Sequence, residues 1–133
     1  FAKNGRLHYV YNWLGEIEQE IISDGTIPLG SCVLGVSFEK EGNDAQHSAL
    51  GTASLYINAT LVGELSIKTQ PGKFMLAGEG LNVGKDPGGP VSTTAYTAPF
   101  AFTGGAIREV IIDVSGQAYV DLELEAIGMM SRD

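Results

Sequence analysis

The sequence predicts an all-β domain, and three observations carry that reading. Eighteen glycines and five prolines punctuate the chain at short intervals. The apolar residues between them mostly alternate, and no stretch repeats convincingly every three or four residues as a helix would. Short strands at this spacing predict two packed antiparallel sheets, a sandwich of jelly-roll type. With 133 residues, no internal repeat and no compositional boundary, the chain reads as a single sandwich domain over 1–133 that needs no staple to fold.

Arg6 to Leu14 is apolar or aromatic on both faces, with Leu7, Tyr9, Tyr11 and Trp13 against Val10 and Leu14, as in a strand covered on both sides. It is expected to be central. Glu16 to Ser23 alternates glutamates with Ile17 and Ile21, and Asp24-Gly25 and Pro28-Leu29-Gly30 supply turns before the next strand. Ser31 to Lys40 follows, with Cys32, Leu34, Val36 and Phe38 on one face. Glu41 to Leu50 is polar and patternless, hence a loop, and Gly51 to Asn58 resumes alternation with Ala53, Leu55 and Ile57 inward. Asn58-Ala59-Thr60 reads as a hairpin turn, although Ala59 stands where glycine would most easily supply positive φ. Leu61 to Thr69 returns, and Lys73 to Leu76 and Leu81 to Val83 are shorter candidates. Asp86 to Gly105 holds Tyr96, Phe100 and Phe102 among its glycines and prolines, too aromatic for a passive linker and expected to be an ordered surface loop. Ala106 to Val114 and Gln117 to Ala126 are the closing strands.

Eight basic against sixteen acidic side chains give a formal net charge of -8, which works against nucleic acid, anionic membranes and polyanionic substrates. No apolar run approaches the roughly 20 residues of a membrane helix. One cysteine allows no internal disulfide and no cysteine zinc cluster, and Cys32 reads as a small buried hydrophobe. Phe1 opens the chain where Met is usual, so the sequence reads as a piece of a longer polypeptide. Compartment stays open between a periplasmic or extracellular location and the cytoplasm.

The most suggestive constellation is Glu16-Ile17-Glu18-Gln19-Glu20, which on a strand would project three carboxylates from one face. It looks like the E-I-D-x-E signature of β-glucanases on a concanavalin-like jelly roll, with Glu16 in the nucleophile position and Glu20 as acid/base. Against this, Glu18 replaces aspartate and the chain is short for such an enzyme. On an unbulged strand the Cα atoms of Glu16 and Glu20 would stand roughly 13 Å apart, whereas retaining catalysis wants carboxyl groups about 5 to 5.5 Å apart. A solvated acidic face is the preferred reading. Asp44, Glu79, Asn82, Asp86 and Asp113 are hard oxygen ligands that could converge on calcium, Asp86 and Asn82 foremost, but without EF-hand spacing. His8 and His47 lie too far apart in sequence to suggest a zinc or acid/base pair. Val83 to Gly89 is glycine-rich yet lacks the G-K-S/T ending of a phosphate cradle, and the Asn58 sequon is expected to serve as a turn.

In order along nearly the whole chain, Tyr9-Val10-Tyr11-Asn12, Thr69-Gln70-Pro71, Val83-Gly84-Lys85-Asp86 through Pro90-Val91-Ser92, and Pro99-Phe100-Ala101-Phe102-Thr103-Gly104 resemble the C-terminal domain of one group of bacterial arylsulfatases. The fold this implies is a two-sheet jelly roll of concanavalin A/laminin G-like type. A sulfatase active site would contain C-x-P/A-S-R, whose cysteine becomes formylglycine, together with Asp and Asn ligands for calcium. Cys32 is followed by Val-Leu-Gly-Val and does not match. The resemblance therefore implies a non-catalytic module with no cofactor of its own, its partner being an N-terminal sulfatase catalytic domain of the same chain that holds the calcium. Tyr96, Phe100 and Phe102 are then candidates for docking on that domain, or for folding back over a sheet edge. A lectin-like sugar-binding module using Tyr96 or Tyr119 is the alternative, a small glycosidase using Glu16 and Glu20 a weaker one, and self-association of the fragment is a further expectation.

Overall fold

The computed structural model describes residues 1–71 and 80–114. Contacts divide the chain into two units, Phe1–Thr103 and Gly104–Asp133. The described residues contain strands and no helix, and all the strands fall in the first unit. The first sheet holds β1 (Ala2–Lys3), β2 (Arg6–Trp13) and β3 (Ile17–Thr26) in spatial order. The second holds β4 (Leu34–Asn43), β5 (Ala49–Ile57) and β6 (Thr60–Lys68), and a two-stranded ribbon pairs β7 (Lys85–Asp86) with β8 (Phe100–Ala101). Every pairing is antiparallel.

The predicted period of two decides which residues form the core. Ala53, Leu55 and Ile57 on β5 and Ile67 on β6 are buried against Leu7 on β2 and Ile21 on β3, with Tyr9, Tyr11, Ile27, Val62 and Leu65 packed around them. Residues of both three-stranded sheets thus share one apolar cluster, and β2 is central in its sheet as expected. Close approach demands glycine at two points where φ is ordinary. A Cβ on Gly63 would stand 2.6 Å from the Ile21 Cγ2, and one on Gly51 would stand 2.3 Å from the Glu39 carbonyl oxygen and 2.6 Å from the Phe38 ring.

Several boundaries differ from the sequence reading, each for a backbone reason. Asp24-Gly25 does not end β3: the register passes from His8 opposite Ile22 to Arg6 opposite Thr26, so the two residues belong to a bulge. Ser23, fully buried, stabilises that bulge by accepting the Leu7 N–H at 3.0 Å and donating to the Gly25 carbonyl at 2.6 Å. The polar stretch expected as a loop over Glu41 to Leu50 shrinks to 44–48, because ladder bonds need no apolar side chains and a bulge between Lys40 and Gly42 lets the pairing run on. Ser31 to Val33 precede β4, and Cys32 is half-buried where full burial was expected.

At the β5–β6 turn the positive φ falls on Asn58 (55°), leaving Ala59 without strain, since asparagine tolerates the left-handed region. Asn58 also pairs with Val33 through its amide N–H at 2.6 Å and its Oδ1 at 3.0 Å. Leu81 to Val83 is not a strand, and Ala106 to Val114 forms no strand and is exposed. An apolar run becomes a strand only where a neighbour pairs with it, and neither run has such a neighbour among the described residues. The expected strands Lys73 to Leu76 and Gln117 to Ala126 lie outside the described residues.

Gly51→Ala is expected to lower the stability of the chain by about 1–3 kcal/mol, the usual cost of overpacking, because the clash involves a backbone carbonyl that cannot rotate away. Urea unfolding followed by tryptophan fluorescence measures it, and Gly42→Ala, where an added Cβ meets nothing within 4 Å, is the control.

Candidate functional site on the outer face of the first sheet

Leu7, Tyr9 and Tyr11 face the shared core, so His8, Val10 and Asn12 face the other way, joined on that face by Glu18 and Glu20 of β3. The segment from Lys85 to Phe102 lies across this outer face. The Glu18 carboxylate holds it, accepting from the Thr93 N–H at 2.6 Å, the Thr93 hydroxyl at 2.7 Å and the Ser92 hydroxyl at 3.0 Å. Asn12 donates from Nδ2 to the Val91 carbonyl at 3.0 Å, and the Lys3 ammonium donates to the Ala95 carbonyl. Ser92 is buried, and so is Val10, whose neighbours His8 and Asn12 both contact the segment or its aromatic anchors.

Those anchors form one aromatic cluster. Phe1 stacks on His8 with centroids 4.8 Å apart, Tyr96 stacks on Phe100 at 4.3 Å, and the edges of the two pairs meet, Phe1 against Tyr96 at 5.0 Å and Phe1 against Phe100 at 6.2 Å. The Tyr96 hydroxyl donates to Asp86 and accepts the Val91 N–H at 3.2 Å. Burial and, after it, the hydrogen bond to Asp86 push the Tyr96 phenol up to about 12.

The three glutamates of the acidic run therefore do not act together. Glu16 sits exposed in the β2–β3 turn outside the strand, Glu18 binds the segment, and Glu20 meets the His8 Nδ1 at 2.9 Å. Hydrogen bonds from the Thr93 backbone first, then from the Thr93 and Ser92 hydroxyls, hold the Glu18 carboxyl below the usual carboxylate range. The calcium candidates are likewise dispersed. Asp86 serves Tyr96 and Val91, the exposed Asn82 donates to the Gly80 carbonyl at 3.4 Å, and Glu79 lies outside the described residues. Asp44 closes the β4–β5 turn, accepting from the Gln46 and Ser48 amides at 2.9 Å each, and forms an ion pair with Lys68. Asp113 belongs to the second unit. No group of three or more His, Cys, Asp or Glu among the described residues could hold a metal ion.

The docking candidates separate. Tyr96 and Phe100 are half-buried in the aromatic cluster, while Phe102 is 40% exposed. Sequence reasoning missed the fasteners: Glu18, Asn12, and Gln19, whose amide accepts the Lys68 N–H and donates to the Lys68 carbonyl, both at 2.8 Å, as a neighbouring strand would. Nothing in the sequence links residues 74 positions apart, as Glu18 and Ser92 are.

With the geometry in hand, comparison with protein families, with curated proteins and with solved structures finds no significant match.

Because the folded-state pKa of Glu18 is depressed, its contribution is complete above the ordinary value of 4.5 and is lost as pH falls through the lower folded value. Amide exchange at Thr93 should accelerate over that acid range beyond its intrinsic pH trend. Glu18→Ala should show the faster exchange already at pH 7 and lose the acid step.

Proposed function

We propose that this chain is the non-catalytic C-terminal module of an arylsulfatase, a jelly roll of concanavalin A/laminin G-like type that supports and docks on a catalytic domain of the same polypeptide. One observation carries the reading: the motifs behind the arylsulfatase resemblance meet one another as fasteners of the fold. Tyr11 accepts the Gln70 N–H at 2.8 Å, which joins Y-V-Y-N to T-Q-P, and Asn12 binds the Val91 carbonyl, which joins the same motif to P-V-S. Phe100 stacks on Tyr96, itself hydrogen-bonded to Asp86 of the glycine-rich motif. Residues so engaged build a frame, and sulfate-ester chemistry belongs to the preceding domain with its formylglycine and calcium.

The frame also supplies a contact surface. The segment pinned by Glu18 leaves Phe102 at 40% and Val91 at 36% exposure, preceded by Leu81 and Val83 at 78% and 54%. Apolar side chains on an anchored segment offer binding area without a large ordering cost. The lectin reading is weaker, since the Tyr96 ring already packs on Phe1 and Phe100 of this chain and Tyr119 lies outside the described residues.

Phe102→Ser and Val91→Ser should leave the isolated chain within about 0.5 kcal/mol of wild type, as exposed substitutions do. In the parent polypeptide they should lower the temperature at which aryl-sulfate hydrolysis is lost. Phe100→Ala should destabilise both. A parent lacking C-x-P/A-S-R and inactive on 4-nitrophenyl sulfate, or sulfate-ester turnover by the isolated chain, would overturn the reading.

A further inference from the structure

Among the described residues four positions other than glycine lie in the left-handed region, His47 (φ 65°) in the 44–48 turn and one in each of three tighter turns, and they are not filled alike. The β1–β2 turn uses Asn4 (φ 52°) before Gly5, the β5–β6 turn uses Asn58 (φ 55°), and the β2–β3 turn uses Leu14 (φ 51°) before Gly15. Asparagine is suited to that conformation by its short polar side chain, whereas for leucine it costs about 1–2 kcal/mol. The turn does not need the leucine to close. The Glu16 N–H donates to the Trp13 carbonyl at 2.9 Å and the Gly15 N–H to the Asn12 Oδ1 at 2.8 Å. Nor does the core use it: Leu14 is 48% exposed, and Ile17, paired with Trp13 beside it, is 55% exposed.

The tip is nevertheless held firmly. Asn12 ties it to Val91, and Lys68 lies 5.4 Å from the Trp13 ring centroid while Gln19 binds the Lys68 backbone. A strained, exposed apolar side chain on a braced hairpin is a preformed knob, with little freedom left to lose on binding.

We infer that Leu14, flanked by Ile17, inserts into an apolar pocket of the catalytic domain proposed above, and this inference rests on that reading. Charge selects a protein over a lipid surface. The chain carries a formal net charge of -8 and Glu16 is exposed at the tip itself, which opposes insertion into an anionic bilayer and calls for a Lys or Arg at the rim of the pocket. Asn12 bonds both Gly15, the residue after Leu14, and the Val91 carbonyl, so the exposed Leu14 and Val91 lie near the same end of β2.

The experiment compares Leu14→Asn in the isolated chain and in the parent polypeptide. In isolation the variant should melt a few degrees higher, because asparagine fits the turn. In the parent it should speed proteolytic release of this module roughly fivefold or more, as expected for loss of a central apolar anchor, while Leu14→Met, which keeps an apolar knob, should stay near wild type. A lower melting temperature of the isolated variant would assign Leu14 to the module's own packing and overturn the inference. So would unchanged release from the parent, or binding of the chain to phosphatidylglycerol vesicles that Leu14→Asn abolishes. Faster release from a parent that hydrolyses no aryl sulfate would sink the sulfatase reading and leave the knob standing.

Discussion

Two narrow sheets that share one apolar cluster are the constraint on which the structure depends. A three-stranded sheet becomes stable only when its apolar face is covered, and here Leu7 and Ile21 cover Ala53, Leu55 and Ile67 while being covered by them. The contact is close enough that Gly63 cannot carry a side chain without displacing Ile21. That packing fixes which face of β2 and β3 points inward. A one-residue change of register would turn Tyr9 and Tyr11 outward and bring His8, Glu18 and Glu20 into the core. The polar outer face is thus a consequence of the apolar inner one.

On that outer face a single carboxylate does most of the fastening. An ionised glutamate accepts several hydrogen bonds at once, and bonds to a charged acceptor are stronger than neutral ones. Three donors from two adjacent residues meet Glu18. Around it the attachment is distributed among the Asn12 bond, the Lys3 ammonium on the Ala95 carbonyl and the aromatic cluster, so no other group gathers as many bonds to the segment as Glu18. Acidic and aromatic residues that look like chemistry in one dimension are in this way committed to holding a surface in place.

What was legible in the sequence followed from local pattern. The inward set Ala53, Leu55 and Ile57, the central place of β2 and the ordered character of the aromatic segment all follow from alternation and composition. What was not legible depends on partners distant in the chain or on the backbone itself. The Ser23 bulge replaces an apparent turn because a buried hydroxyl reaches the Leu7 amide, and Ala106 to Val114 has a strand's composition without a strand's neighbour. At the site, the same glutamate run that suggests a hydrolase contributes Glu18 to one partner and Glu20 to another, a division that spacing along the strand does not reveal.

The functional reading follows from how the resemblance maps onto these contacts. If the motifs behind the proposed resemblance had converged on an open cavity, they would argue for chemistry carried by this chain. Instead Tyr11 meets Gln70, Asn12 meets Val91 and Phe100 stacks on Tyr96, while Leu14, Ile17, Val91 and Phe102 are exposed at their margins. On the proposed reading, a frame whose distinctive residues face one another, with Leu14, Ile17, Val91 and Phe102 among its exposed apolar side chains, serves to present a surface. If the chain is the docking module proposed, its acidity favours a protein partner over a lipid or a polyanion, because burying apolar area stabilises a complex only where the surrounding charges do not oppose the approach.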